Sequence, residues 1–397
     1  MLNNMFGKGT VSAKEVIIFA AMKIYRLCVA VCLLFVFFVQ EAAAQRQRFI
    51  DKRREIIKND TINYFYKNYN YGVQDLYNPA YVIVNGGYDI LQLQGYNREV
   101  FNFNWRLNAR NVVNNLIDPF PTINEIGWGR FISTEVFPLN FTPNGSQWIP
   151  NYFLHFLGSG MEYRMMTEWY RHHNVPVPKL FSTLTILSAQ FINEVIENKD
   201  IVGTNGDPIA DWYIFNVAGI FMFNSIKVNK FFSEKLNMSD WSHMPTVNFK
   251  DYTLQNSGQY FIYKWYIPRN PKWGIFTRWG MGTWAGVTYK LNEEHALTAS
   301  GGAKSHIFRI VDEAGKVSTT TLTWSAFLAW DKNNTPLATL QLSGADDYTV
   351  LANVYPGVVR IKKFSPGLWA VAGKNGTGAF GICAKYTLGL GVGYGWR

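Results

Sequence analysis

The sequence predicts a mainly β protein with an α insert: an antiparallel transmembrane β-barrel of about 8–12 strands with a helical bundle in or over the lumen. Three observations predict this fold. An export signal precedes residue 45, and small and bulky apolar residues alternate along the last part of the chain. Between these two regions, residues 151–236 carry apolar side chains at helical spacing.

The composition favours an outer surface that meets lipid. Of the 397 residues, 17% are charged and 16% are aromatic, whereas average soluble domains carry about 25% charged residues. The mean hydropathy of −0.08 argues against a bundle of spanning helices, but a barrel keeps half of each strand polar. The net charge is +10. No nucleic-acid-binding pattern accompanies this charge, so nucleic acid is not an expected partner.

Residues 1–44 are interpreted as a cleaved signal peptide. A short basic stretch at 22–26 precedes an apolar stretch at 27–39, and Ala42-Ala43-Ala44 offers a cleavage site before Gln45. Residues 1–21 precede the better start at Met22, so we interpret them as an over-extended gene start. We therefore expect export through the inner membrane and a place in the outer membrane. An uncleaved anchor is the alternative.

Residues 45–77 are predicted to be a basic N-terminal segment. Its run of positive charges is able to attract outer-membrane lipid or lipopolysaccharide, but terminal charge blocks are more often solvated tails. Cys28 and Cys32 fall within the signal peptide, so Cys383 is the one cysteine of the mature chain. No intramolecular disulfide and no Cys-based zinc site is expected.

Barrel strands are predicted over 78–150 and over 257–397. In the first region, Tyr81–Leu93 and Val100–Leu107 are the candidate strands. In the second, large apolar residues occupy the even positions from Phe380 and small or polar residues occupy the odd ones, which is the period of a strand with one face in lipid. This run is longer than one membrane crossing, so the strand either projects beyond the bilayer or breaks at a glycine.

The last apolar positions resemble the C-terminal assembly signal of outer-membrane barrels. They are Leu390, Val392, Tyr394 and Trp396. The difference from that signal is that Trp396 is penultimate and Arg397 is last. The resemblance implies that these four side chains face the membrane and that the barrel-assembly machinery is a partner.

Residues 151–236 predict three helices, over 151–172, 181–199 and 209–235. Asp207-Pro208 gives a helix cap followed by proline at the first helical position. Carboxylates at Glu194, Glu197 and Asp211 are costly inside a bilayer. We therefore expect a bundle in the lumen or over one mouth rather than spanning helices.

The insert also carries the candidate catalytic residues. His155, Ser159 and Glu162 follow each other at spacings of four and three, which places them on one helical face. A histidine beside a carboxylate can act as a general base, and a nearby serine can act as a nucleophile. Our hypothesis for a catalytic set is therefore His155 with Glu162 or Glu194.

A buried hydrogen-bond network that ties the insert to basic wall residues such as Arg278 and Lys385 explains the same side chains without catalysis. We assign five residues to this network: Ser159, Glu168, Asn193, Glu197 and Asp211. Two pairs at helical spacing, Glu168 with His172 and Glu194 with Glu197, are each able to share a metal. No complete ligand set with a recognised spacing appears, so the sequence predicts neither a metal nor a cofactor.

Three segments of the insert, taken in order, resemble a known group of proteins. They are NYFLHFLGSGM (151–161), NEVIEN (193–198) and DPIAD (207–211). Their order resembles the central segment of uncharacterised outer-membrane proteins of Bacteroidetes-type bacteria, a domain of unknown function. The resemblance covers the central third of the chain. It implies that these polar positions matter to a fold or a site, but it implies no activity.

Three functions remain open at this point. The first is a non-enzymatic outer-membrane barrel with a structural, transport or envelope-assembly role. The second is an envelope lipid-modifying hydrolase or acyltransferase that uses His155 with Glu162 or Glu194. The third is a soluble periplasmic or surface binding module, which requires the apolar stripes to meet a packed core.

Overall fold

A computed structural model describes residues 62–93, 98–138, 150–311, 317–385 and 390–396. The predicted signal peptide and most of the basic segment lie outside the described residues. The chain divides into two compact units. One consists of residues 1–62 and 172–176, and the other consists of residues 63–171 and 177–397.

The described part of the first unit is Ile62 together with residues 172–176. The side chains of His172 and His173 are exposed, and their rings lie 5.1 Å apart in an edge-on arrangement. Asn174 has a φ of 56°, in the left-handed region that asparagine tolerates in turns. This stretch is therefore a turn that follows the end of a long helix.

The second unit begins with a helical region that runs from residue 73 to residue 235. Its α-helices are α1 (Val73–Leu76), α2 (Pro79–Gly87), α3 (Trp105–Ile117), α4 (Pro119–Ile126), α5 (Trp128–Phe131), α6 (Ser159–His172), α7 (Pro178–Glu197), α8 (Asp207–Ala210), α9 (Val217–Phe223) and α10 (Ile226–Lys230). A 3₁₀ turn covers Asp89–Gln92, and π-helical turns cover Ile132–Val136, Pro150–Gly158, Asp211–Asn216 and Phe231–Lys235.

The prediction of barrel strands over 78–150 is wrong, because the described residues of this range are mostly helical. Where Tyr81–Leu93 was expected to be a strand, the side chain of Asn78 caps α2 by accepting a hydrogen bond from the Tyr81 amide at 3.1 Å. Pro79 follows at the first helical position. These start signals outweigh the β-branched run of α2. Val100–Leu107 likewise leads into α3 rather than forming a strand.

The third predicted helix, over 209–235, is broken. Asp207–Phe223 and Ile226–Lys235 meet at an angle of 83°. In the described part of the chain, no single helix is long and apolar enough to cross a membrane, although these two bent segments together meet the length and hydropathy requirements. The other two helices of the insert occur as α6, preceded by a π-helical turn, and α7.

A mostly antiparallel sheet of thirteen strands follows, so the described protein is mainly β with an α-helical part. Its strands are β1 (Ser239–Asp240), β2 (Thr246–Asn248), β3 (Thr253–Gln255), β4 (Phe261–Ile267), β5 (Asn270–Gly280), β6 (Gly282–Lys290), β7 (His295–Val311), β8 (Val317–Lys332), β9 (Thr335–Ser343), β10 (Val350–Val354), β11 (Gly367–Ala372), β12 (Gly378–Cys383) and β13 (Gly391–Trp396). Thirteen strands exceed the predicted 8–12, because three short strands over 239–255 were not expected.

The strands from β4 to β13 pair in sequence order, and the pairing ends at β1 on one side and at β3 on the other. In the described residues no pairing joins β4 to β13, so the sheet is not closed. The segment 239–248 nevertheless contacts both ends of the series. Its strand β1 pairs with β4, and its strand β2 pairs in parallel with β13.

The two faces of the sheet differ in chemistry. Side chains that alternate along β5 and β6 are exposed and apolar on the outer face, for example Ile275 at 49% and Val287 at 49%. The inner face is buried and polar or charged, and it includes Arg278 and Lys304. An aromatic cluster on the same inner face surrounds Trp241. This distribution is the reverse of that in a soluble sheet, where the polar face meets solvent.

The C-terminal alternation does not form one long strand. It forms the antiparallel pair β12 and β13, in which Phe380 lies opposite Tyr394. Val392, Tyr394 and Trp396 are each about half exposed on the outer face. Leu390 is the exception among the four predicted membrane-facing residues. It precedes β13 and packs against the inner cluster that contains Leu254.

Candidate functional site

His155 and Glu194 meet on the inside of the helical region. His155 lies in the π-helical turn 150–158, and its Nε2 is 3.2 Å from Oδ2 of Asp211. Its Nδ1 is 2.9 Å from Oε1 of Gln190. The same Gln190 side chain donates a hydrogen bond from Nε2 to Oε1 of Glu194 at 2.6 Å. One amide therefore links the histidine to the glutamate.

Asp207 completes this group. One carboxylate oxygen each from Glu194, Asp207 and Asp211 lies within 4.8 Å of the others. We call His155, Glu194, Asp207 and Asp211 the His–acid cluster. From the sequence alone, Asp207 is predicted to be only a helix cap, and Gln190 is not a predicted site residue. In the structure Gly206 is the cap and Asp207 is the first residue of α8. A signal that could have found these two residues is their spacing. Gln190 precedes Glu194 by four residues and Asp207 precedes Asp211 by four, which places each pair on one helix face.

Burial controls the protonation of the His–acid cluster. It raises the pKa of Glu194 and Asp211 well above their usual range, and the neighbouring Asp207 raises both further. The pKa of Asp207 itself is raised to about 6 by burial. Burial lowers the pKa of His155 to about 4, although the hydrogen bond with Gln190 partly opposes this change. At neutral pH the imidazole is therefore neutral.

Glu162 does not join His155. It lies on α6, where its Oε2 accepts a hydrogen bond of 2.5 Å from Nε2 of Gln259. The predicted shared face fails because the chain is π-helical up to Gly158 and α-helical from Ser159. A π-helix closes each turn one residue later than an α-helix, so the expected angular spacing does not carry across this junction.

Glu168 holds the start of the described chain against α6. Its carboxylate accepts three backbone hydrogen bonds of 2.8–2.9 Å, from the amides of Tyr64, Phe65 and Tyr66. It also accepts a hydrogen bond of 2.8 Å from Nε of Arg164. This carboxylate thus contacts three backbone amides and one arginine side chain, which hold the fold together. Glu168 therefore acts as a buried anchor in this arrangement, whereas His172, the last residue of α6, is exposed.

The remaining residues of the predicted network lie at helix contacts. Ser159 is buried at the first position of α6. Asn193 donates a long hydrogen bond of 3.4 Å to the carbonyl of Gly86, where α2 and α7 approach closely. Glu197 lies one turn beyond Glu194, and burial together with Asp207 raises its pKa to about 8.

Three asparagines of α3 hold the connection between α7 and α8. They are Asn108, Asn111 and Asn115, which are spaced so that they share one helix face. Their side-chain oxygens accept hydrogen bonds of 2.8–3.1 Å from the backbone amides of Asp200, Gly203 and Asn205, respectively. The connection that positions Asp207 relative to Glu194 is therefore fixed along its length.

The expected tie between the acids of the insert and the basic wall residues is not formed. Arg278 contacts the segment before β4 instead, because its Nη2 is 3.0 Å from Nε2 of His243 and its guanidinium lies 3.6 Å above the ring of Tyr260. Lys385 pairs at 3.6 Å with Asp75 of α1. Contact between the insert and the sheet is aromatic at one place, where the rings of Phe153 and Trp279 stack at 3.8 Å.

Comparisons with known proteins find no match. No protein-family model matches the chain, and no curated protein or solved structure is significantly similar to it. The site is therefore interpreted from its own geometry.

Proposed function

We propose that this protein is an integral outer-membrane protein. In this proposal the sheet β4–β13 forms the wall of a barrel in the bilayer, and the helical region lies on its inner side. The segment 239–248 would bridge the two ends of the sheet. The role of such a protein is structural, in transport or in envelope assembly. The resemblance to Bacteroidetes-type outer-membrane proteins agrees with this location and implies no activity.

The observation that carries this proposal is the outer face of the sheet. Every strand from β4 to β13 exposes at least one large apolar side chain, and examples from five of them are Trp265, Leu297, Trp324, Leu368 and Phe380. A docked protein partner covers one patch of a surface. Lipid, in contrast, contacts all strands of a wall equally. Buried polar side chains on the opposite face are what a barrel interior requires.

The alternatives receive less support. A soluble binding module requires the stripes of the sheet to meet a packed core, whereas Val392, Tyr394 and Trp396 are exposed. A lipid hydrolase requires a nucleophile beside the histidine. In the described residues, the side-chain partners of His155 are Gln190 and Asp211, and Ser159 is not among them.

Replacing an exposed isoleucine by arginine, once on the outer face of the sheet and once on a helix, tests the membrane proposal. Ile275 lies in the middle of β5 on the outer face, and Ile117 lies on α3, where it is 77% exposed. We expect Ile275→Arg to reduce the stability of the membrane-inserted protein by about 2–4 kcal/mol near the bilayer midplane. Ile117→Arg should change stability by less than about 0.5 kcal/mol. Urea unfolding in lipid vesicles measures both.

Cell fractionation provides the second part of the test. The wild-type chain should remain in the outer-membrane fraction after alkaline carbonate washing and should require detergent for extraction. A freely soluble wild-type protein, or equal tolerance of arginine at both isoleucine positions, would show that the outer face of the sheet does not meet lipid.

A further inference from the structure

The geometry points to a binding site for one divalent transition-metal cation at the His–acid cluster. Three carboxylates, from α7 and from the run that begins at Asp207, each place one oxygen within 4.8 Å of the others. The imidazole of His155, on the turn 150–158, reaches one of them, Asp211, at 3.2 Å. This inference concerns the helical region alone. It does not depend on whether the sheet lies in a membrane.

An orphaned oxygen inside the cluster is the first observation that favours a cation. Asp211 is only 2% exposed, and its Oδ1 accepts no hydrogen bond from an N–H group of the described residues. Its carboxyl group does lie within hydrogen-bond reach of the carboxyl group of Glu194. A buried carboxylate oxygen without a donor is costly because it has lost water and gained nothing in return. A cation bound between Asp211, Glu194 and Asp207 would remove that cost and would offset the clustered negative charge.

The orientation of His155 is the second observation. With Oε1 of Gln190 as the acceptor, Nδ1 of the neutral imidazole carries the proton and Nε2 presents its lone pair to Asp211. A lone pair facing a carboxylate oxygen requires a proton or a cation between them. Metal-binding histidines commonly donate their other N–H group to a fixed carbonyl, which is the role of Gln190 here.

The distances suit adjacent ligands on one metal ion. Two ligand atoms at bond lengths of about 2.1 Å lie about 3.0–3.4 Å apart when they are neighbours around a metal. Nε2 of His155 and Oδ2 of Asp211 are 3.2 Å apart. The carboxylate oxygens, within 4.8 Å of one another, would need to move only slightly inward. Asp207 and His155 are the partly exposed members of the cluster and so provide a route for entry.

The ligand set selects the class of metal. Three carboxylates with one imidazole favour Zn²⁺, Mn²⁺ or Fe²⁺, because Mg²⁺ and Ca²⁺ prefer sites made of oxygen alone. No sulfur ligand is involved, since the described cysteine, Cys383, lies on β12. The competing arrangement is a metal-free cluster in which Asp211 and Glu194 share a proton.

Metal binding by the purified full-length chain tests this inference. After chelator treatment and dialysis, we expect the wild type to bind one Zn²⁺ per chain, at least tenfold more tightly than Mg²⁺, by isothermal titration calorimetry and metal analysis. Asp211→Asn should weaken Zn²⁺ binding at least tenfold, and Gln190→Ala should weaken it about 10–100-fold. Glu162→Gln is the matched control, because it changes a buried acid outside the cluster, and it should bind as the wild type does.

The wild type alone also provides a readout that does not depend on the folding of variants. Zn²⁺ should raise its thermal midpoint, and chelator should reverse the increase. Wild-type protein that binds no Zn²⁺ at a several-fold molar excess would overturn the inference and favour the shared proton. Zn²⁺ binding that is equally tight in Asp211→Asn would place the metal elsewhere and would also overturn it.

Discussion

The helical region and the inner face of the sheet both bury ionisable groups, but acids dominate in the first and bases are prominent in the second. The helical region encloses carboxylates, among them Glu162, Glu194 and Asp211, whereas the inner face of the sheet encloses Arg278 and Lys304. The two sets do not pair with each other in the described residues. Each region instead supplies its own neutral partners to the charges that it buries.

The partners differ because the two architectures offer different groups. The helical region offers backbone amides and side-chain amides, which donate hydrogen bonds to carboxylates such as Glu168. The sheet offers aromatic faces and amide oxygens, and Arg278 lies between Tyr260 and Gln341. In both regions neutral groups satisfy much of a buried charge, although Glu168 also pairs with the buried Arg164. Among the described residues, Arg164–Glu168 in the helical region and Lys264–Asp331 in the sheet are fully buried ion pairs, and they allow the comparison to be tested.

The largest effect is expected in the helical region. Glu168→Ala removes the partner of the buried Arg164 and the acceptor of three backbone amides. We expect a loss of more than about 5 kcal/mol, because breaking a buried ion pair costs about 3–5 kcal/mol and three backbone amides lose their acceptor as well. Denaturant unfolding measures this change. The exposed Glu125→Ala is the control and should change stability by less than about 0.5 kcal/mol. A loss of under 1 kcal/mol in Glu168→Ala would contradict the anchoring role.

The corresponding change in the sheet is Lys264→Met, which leaves Asp331 buried without its cation. We expect a loss of about 3–5 kcal/mol, most of which returns when Asp331→Leu is added. Lys332→Met, at a solvent-exposed ion pair on the adjacent residue, should cost under about 1 kcal/mol. An equally small cost for Lys264→Met would show that water reaches the inner face of the sheet. The two regions would then differ in their access to water as well as in the groups that they bury.

A smaller effect is expected from Asp89, which lies in the helical region against the backbone of Gln259. Burial raises its pKa from 3.8 to about 7. The folded state therefore holds this proton more tightly than the unfolded chain, so stability falls as pH rises from about 4 to about 7. Asp89→Asn should make this fall shallower, by an amount on the order of a few kcal/mol. Thermal melts at several pH values, with the exposed Asp118→Asn as control, measure the difference. Parallel curves for Asp89→Asn and the wild type would contradict the shifted pKa.

Local patterns in the sequence were sufficient to predict a strand or a helix where the apolar residues recur with a single period. The alternation along β5, β6 and β12 predicts strands, and the apolar spacing of α7 predicts a helix, because these patterns depend only on which face is covered. The same reasoning failed at α2. There a β-branched run suggests a strand, but a capping asparagine, a proline and close packing of Gly87 against Ile192 decide for a helix.

The candidate site was only partly predictable for a different reason. The sequence selects His155 and Glu194 as buried polar residues in an apolar insert, but residues far apart in sequence become neighbours only through packing. The π-helical turn before Ser159 separates His155 from Glu162. The α7 helix, and the connection that the asparagines of α3 hold, bring Gln190 and Asp207 into the cluster instead.

The sequence by itself determined the mainly β and helical composition, the period of the sheet and the polar character of the insert, since these follow from the order of apolar and polar residues. The tertiary structure alone decided which polar groups converge, because convergence depends on helix breaks and packing that no local pattern encodes. It also decided that the apolar stripe of the sheet faces outward. The alternation of apolar and polar residues along a strand is the same whether the apolar face meets a protein core or meets lipid.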